Sequence, residues 1–196
     1  DKNKLINFKL SKNGKFQITG AKNDDHAKLC IKYFWEIVRP HAELYQMSGA
    51  MFTVNFLTVM TNIDFNVGFI VNRENLDKYM NQQTEHNSLL ETSFGYTGVN
   101  IKFPSTPVPM KSLIPQISYS GEWNDTMIPY ETYFNQLSSK DQDKIMNKER
   151  YTTFLVFHSG NVIMSGLSKP FMEDIFNEFV KIINGCRGII EEKLIT

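Results

Sequence analysis

"FLVFHSGNVIMSG" (154–166) and "FKLSKNGKFQITG" (8–20) are the two stretches on which the fold turns. Each holds alternating side chains on either side of a Gly-bearing turn, "HSGN" and "KNGK", and each closes on Gly-x5-Gly, at 160–166 and 14–20. Glycine takes positive φ in a tight turn cheaply, so each stretch reads as a β-hairpin. The two lie 146 residues apart. Carrying that offset downstream pairs Leu29 with Ile175, Cys30 with Phe176, Tyr33 with Phe179, Phe34 with Val180 and Ile37 with Ile183. All ten are apolar, and the spacing i, i+1, i+4, i+5, i+8 is one face of an amphipathic helix. The chain therefore reads as one unit used twice: hairpin, Gly, then a helix folded back on the sheet.

Between the copies, "MFTVNFLTVMTNIDFNVGFIV" (51–71) reads as a long strand rich in Val, Thr, Phe and Ile. Asn72 is placed to cap a short helix, "RENLDKYMNQQ", and a strand follows over 92–103, "TSFGYTGVNIKF". Five of the seven prolines fall in 104–149, which reads as an inserted excursion with one helix near 130–147. The expected domains are thus 1–45, the closing hairpin and helix of a first repeat, and 50–196, a second repeat carrying the Pro-rich insertion at 104–149. The first copy shows only its final elements. Its opening strand, helix and strand are missing or lie upstream of Asp1.

Composition excludes more than it assigns. A chain of 196 residues with 41% apolar content can bury a sizeable core. Lys and Arg balance Asp and Glu at 21 each, so net charge is silent about polyanionic partners. The distribution says more, because Lys2, Lys4, Lys9, Lys12, Lys15 and Lys22 cluster in the first 22 residues. Cys30 and Cys186 fit no metal or redox spacing and suggest a reducing compartment. No signal peptide is evident, and no apolar stretch approaches the roughly 18 residues of a membrane span. His26, His41, His86 and His158 have no ligand-like spacing, and Asp24 and Asp25 beside His26 suit a helix start. There is no GxGxxG, P-loop or Ser-centred elbow, so an enzyme is not expected, nor is a cofactor or metal.

The order of elements in the second unit, with "TGAK" (19–22) and "FLVFHSGNVIMSG", resembles the TATA-binding protein family. Its asparagine content and large insertion are most like the divergent members from large nucleocytoplasmic DNA viruses. The resemblance implies an α+β saddle, a curved antiparallel sheet in pseudo-twofold repeats with helices on the convex side. The concave face would lie on the minor groove of AT-rich promoter DNA, where apolar contact, shape and deformability are read. It also implies a transcription factor B-like protein and RNA polymerase as partners, and a nucleus-like setting, a viral factory in the host cytoplasm, or the virion.

Matching the family's motif puts Phe157 at one wedge position and Tyr96 at the other, with Phe94 as the fallback register. Leu155, Ile163 and Ser165 share the face of Phe157 by period-2 alternation. Lys102 falls where the family has a phosphate-contacting Arg, and Asn55 matches a groove-facing Asn, with Leu57 beside it. Phe157 can also be read as a core residue, although Leu155 and Val156 beside it require two covered surfaces. Asn55 can equally be an exposed strand residue. The first unit departs from the family pattern. Phe8, Leu10, Phe16 and Ile18 alternate onto the helix side, leaving Lys9, Ser11, Gln17 and Thr19 opposite, so Ser11 stands where a wedge is expected. Lys9, Lys12 and Lys15 could grip phosphates or simply blunt a hairpin edge. Trp123, Tyr119, Tyr130 and Tyr133 in the insertion read as a partner surface or as a self-packed flap. Three functions stay open: a promoter-binding factor that bends DNA, a scaffold of the same fold that binds proteins, and an accessory domain of a nucleic-acid enzyme.

Overall fold

Along "YTTFLVF" (151–157), Thr152, Phe154 and Val156 are buried while Thr153, Leu155 and Phe157 between them are half-buried. Two alternating apolar sets on one strand require two different surroundings, and the architecture supplies them. The computed structural model describes residues 5–45, 52–90 and 97–193. In chain order its elements are β1 (Asn7–Leu10), β2 (Phe16–Thr19), α1 (Asp24–Val38), β3 (Phe52–Asn55), β4 (Thr61–Asn66), α2 (Arg73–Gln83), β5 (Asn87–Leu90) and β6 (Gly98–Pro104). There follow β7 (Leu113–Tyr119), β8 (Trp123–Pro129), α3 (Tyr130–Phe134), α4 (Ser139–Met146), β9 (Tyr151–Phe157), β10 (Asn161–Gly166) and α5 (Lys169–Ile190). The class is α+β, with antiparallel sheets ordered β1-β2, β3-β7-β8 and β4-β10-β9-β6-β5.

The 146-residue offset survives residue by residue. Phe8 pairs Ile18, Lys9 pairs Gln17 and Leu10 pairs Phe16 in the first hairpin. In the second, Phe154 pairs Met164, Leu155 pairs Ile163 and Val156 pairs Val162, the same register shifted. Gly14 and Gly160, at φ 77° and 81°, hold equivalent turn positions that favour glycine. The helices correspond as well, α1 falling within the shifted span of α5.

Contacts divide the chain into two units, Asp1–Leu57 with Pro109–Ser138, and Thr58–Val108 with Ser139–Thr196. The second holds the five-stranded sheet, and α2 and α5 cover one of its faces. Phe154 of β9 stacks on Phe179 of α5 at 3.9 Å, and Phe103 and Phe65 meet the same ring edge-on at 6.3 and 6.0 Å. Burying a side chain of this size contributes about 1.5–3 kcal/mol. Leu76 and Met80 of α2 complete this core, together with Ile183, Cys186 and Ile190 of α5. Asn72 caps α2, its side chain accepting from the Asn75 amide at 2.9 Å, and Pro170 opens α5 where a missing N–H costs nothing.

In the first unit, α1 meets the hairpin through Phe34, whose ring lies 5.7 Å from Phe8 and 5.1 Å from Phe16. Its other side meets β3-β7-β8. Trp35 stacks on Phe52 at 4.5 Å, and Lys32 reaches Asp125 at 3.1 Å.

Several expectations need correction. The single strand expected over 51–71 is two strands in different sheets, β3 and β4. Twenty-one extended residues would span about 70 Å, far longer than usual strands, so the run must break. The stretch 104–149, read as an inserted excursion with one helix near 130–147, holds more than that. It contributes β7, which pairs with β3 inside the first unit, and β8, which pairs with β7, together with two short helices in place of one. Pro115 is tolerated in β7 because it lies just past the last β3 pair, Asn55 with Gln116, where its carbonyl accepts from the Phe56 amide at 2.8 Å.

Candidate nucleic-acid interface

Cross-strand pairing sets out the face of the five-stranded sheet opposite α2 and α5, row by row. One row runs Asp64, Ile163, Leu155, Asn100, Leu89, and the next runs Asn62, Ser165, Thr153, Lys102, Asn87. Phe157 lies at the end of β9, opposite Gly98. Phe157, Leu155, Ile163 and Ser165 are all half-buried on this face, and Leu89 beside them is 62% exposed. Four of the residues picked out by motif are thus gathered on one surface, and Lys102 joins them, exposed.

Gly98 and Asn100 belong to this surface too, and the sequence reading passed over their roles. A Cβ on Gly98 would stand 2.6 Å from Leu155 Cδ1, so a larger residue there would make the Leu155 side chain shift. The Asn100 Oδ1 is buried without a hydrogen-bond partner among the described residues, which leaves an acceptor in the middle of the face. On β4 the face is polar. Asn62, Asp64 and Asn66 are exposed there, and Asn66 donates to Asn161 Oδ1 at 2.7 Å while accepting from the Gly68 amide at 2.7 Å. Alternation in "TNIDFN" carried the signal for β4. Taking 51–71 as one strand hid it.

At the edge of the face the Lys102 ammonium lies 5.8 Å from the Tyr151 ring centre. Tyr151 donates its hydroxyl to Glu149 at 2.9 Å, and that hydrogen bond and the nearby carboxylate charge hold the phenol above its ordinary pKa.

Other sequence-picked residues fall elsewhere. Tyr96 and Phe94 lie outside the described residues. Asn55 and Leu57 are not on the sheet that carries Phe157. Asn55 ends β3 in the first unit, accepting from Gln116 Nε2 at 2.6 Å, and Leu57 follows it exposed. The reason is the break in 51–71, which makes β4 the opening strand of the five-stranded sheet.

In the first hairpin Lys9 and Gln17 are cross-strand partners facing away from Phe34, with Thr19 on the same side, and all three are exposed. Shifted by 146 residues they correspond to Leu155, Ile163 and Ser165, so the same surface is apolar in one copy and polar in the other. Ser11 sits in the turn, its hydroxyl donating to the Asn13 side chain and bonded to the Lys15 carbonyl at 3.0 Å. The aromatic residues of the insertion pack within the first unit. Tyr119 and Trp123 lie 5.1 Å apart, Tyr119 lies 5.8 Å from Trp35 and accepts from Arg39, and Tyr130 is buried.

The histidines scatter. His26 heads α1 under the Asn23 cap, His41 meets Glu43 at 3.3 Å and His158 meets Glu192 at 2.9 Å. His86 is buried, stacks on Phe103 at 3.8 Å and meets Glu178 at 2.9 Å; with Glu85 the three offer ligand atoms within 4.8 Å of one another. Among the described residues His86 Nδ1 has no partner, whereas a metal-bound imidazole usually donates its second N–H, so the trio fits a clamp between the α2–β5 turn and α5 better than a cation site. Burial pushes the Cys186 thiol up to about 11, the signature of an unreactive thiol, and raises that of Cys30, which is only half-buried.

No protein-family model and no solved structure matches the chain. The chain is similar to the uncharacterized protein 335L of Invertebrate iridescent virus 6, 24% identical over 197 residues that cover 95% of this chain and 58% of that relative. It therefore spans somewhat more than half of the relative's length. Among the described residues, no helix is long and apolar enough to cross a membrane.

Proposed function

We propose that the chain is a DNA-binding transcription initiation factor of the TATA-binding kind. In this reading the outer face of the five-stranded sheet lies on the minor groove of AT-rich duplex and bends it. The observation that carries the reading is the placement of Leu155, Phe157 and Ile163 on the sheet face opposite α2 and α5. A half-exposed apolar sheet face favours a partner surface, and the degenerate minor groove, once opened by bending, is read through such contact. Phe157, at the end of its strand, is the wedge that unstacks a base step, a mode for which the TATA-binding family is itself the standard example. Lys102 neutralises a phosphate at the rim, and Lys9, Lys12 and Lys15 do so from the polar hairpin.

The protein acts by binding, not by catalysis, and takes no cofactor. A transcription factor B-like protein and RNA polymerase follow as partners. The similarity to an iridescent-virus protein supports a viral setting, in the nucleus or in a viral factory of the host cytoplasm.

A specific observation favours a second reading, a protein-binding scaffold of the same fold. Asp64 stands beside Ile163 within the apolar row, and Glu149 lies at the rim, where carboxylates repel phosphates. Gel shifts on AT-rich and GC-rich duplexes over roughly 50–200 mM salt separate the two. The DNA reading expects AT-selective retention that weakens with salt and is lost in Leu155→Asp. The scaffold reading expects no retained duplex at any salt.

A further inference from the structure

The two copies of the helix meet different surroundings. In α5, Phe179 is fully buried and touches Phe65 of β4 and Phe103 of β6 as well as Phe154 of its own hairpin. Ile183, 3% exposed, lies in the same core as Leu76 and Met80 of α2. The matching residues of α1, Tyr33 and Ile37, are 66% and 71% exposed, and Leu29, matching Ile175, is 51% exposed. Conversely, the buried residues of α1 are Ile31 and Trp35, which correspond to Asn177 and Lys181, both exposed on α5. α1 is thus apolar on two sides. One packs on β3-β7-β8. The other lines a groove of about 590 Å³ with Phe8, Leu29, Cys30, Tyr33, Phe34 and Ile37.

We propose that this groove seats a segment built like β4–α2–β5–β6, preceding β1 in a longer polypeptide, which completes the first copy as 61–104 completes the second. The internal twin says what covers the face. Phe8 holds the position of Phe154, and among the described residues no ring stands by Tyr33 as Phe65 and Phe103 stand by Phe179. Chain order says where the occupant comes from, because 61–104 precedes β9, β10 and α5 in the second copy. Its chemistry follows from the same template: a strand alternating as Ile63, Phe65 and Val67 do, then a helix with apolar residues four apart, like Leu76 and Met80. Length permits it. The relative's matched 197 residues are 58% of its chain, leaving far more than the 44 residues of 61–104 outside the match. The inference stands on the duplication and holds whether or not the sheet face binds DNA.

Cys30 reports on the groove. Maleimide labelling is compared at pH 8 between residues 1–196 and the same chain extended upstream through its reading frame, with buried Cys186 as the internal control. Cys30 is expected to label at least tenfold more slowly in the extended chain, and Tyr33→Glu is expected to restore the faster rate there. In residues 1–196 the same substitution leaves the circular dichroism spectrum unchanged, because Tyr33 is exposed. Equal labelling of the two chains overturns the proposal, as does an upstream frame too short for about 44 residues. Concentration-dependent protection in residues 1–196, with a dimer in light scattering, also overturns it in favour of a second copy in the groove.

Discussion

Truncating one aromatic ring in each copy tests the asymmetry between the two helices. Phe179 is fully buried, stacked at 3.9 Å on Phe154 and flanked by the edges of Phe65 and Phe103. Phe→Ala in a core costs about 3–5 kcal/mol, and the stacked geometry places Phe179→Ala in the upper half of that range. Against a usual total of roughly 5–15 kcal/mol this is a large share of the stability. With a urea slope of about 2 kcal/mol/M, the midpoint falls by about 2 M. Tyr33, the equivalent residue, is 66% exposed, and Tyr33→Ala is expected to cost less than about 0.5 kcal/mol. Urea unfolding followed by far-ultraviolet circular dichroism measures both. Because Trp35 and Trp123, the only tryptophans, belong to the first unit, fluorescence recorded in parallel assigns a transition to that unit. Equal midpoint shifts for the two variants would refute the different environments assigned to α1 and α5.

The hairpin turns give a second contrast. Gly160→Ala meets both a positive φ and the Phe69 carbonyl oxygen 2.3 Å from the new Cβ, whereas Gly14→Ala meets only the φ, so thermal unfolding should show a clearly larger loss at Gly160 than the roughly 1–2 kcal/mol of the conformational cost alone. Alkaline pH gives a third. The Cys186 thiol is raised from 9.0 to about 11 in the fold, so the unfolded chain ionises first, and stability should fall as pH climbs from about 9 towards 11. Cys186→Ala should flatten that part of the urea midpoint profile, and an unchanged slope would contradict the burial assigned to this thiol.

The sequence spoke clearly wherever one local rule sufficed. Alternation about Gly14 and Gly160 fixed both hairpin registers, and Asn72 marked the start of α2 because an N-cap is a local hydrogen bond. It misled where two apolar segments abut without punctuation. "MFTVNFLTVMTNIDFNVGFIV" contains β3 and β4 in different sheets, and since β-branched runs look alike whichever sheet receives them, Asn55 was assigned to the wrong strand. Prolines misled in the opposite sense, marking 104–149 as an excursion although Pro115 and Pro129 lie within strands of the first unit. Removing that stretch as a flap would take β7 and β8 away from β3. The candidate face was half legible. Period-2 alternation grouped Leu155, Phe157, Ile163 and Ser165, but Asp64 and Asn100 join them only through cross-strand register, which a single strand does not encode. Likewise Leu29, Tyr33 and Ile37 announced an apolar helix face without saying what covers it.

In the proposed function Phe157 faces outward to pry apart a base step. Energy transfer between dyes at the two ends of a short AT-rich duplex measures it most directly, comparing the native chain with Phe157→Ala at protein concentrations that saturate each. Higher transfer with the native chain, collapsing towards the free-duplex value in the variant while gel retention persists, is the predicted result. Transfer that stays at the free-duplex value with the native chain bound, or that is unaltered by the substitution, contradicts it.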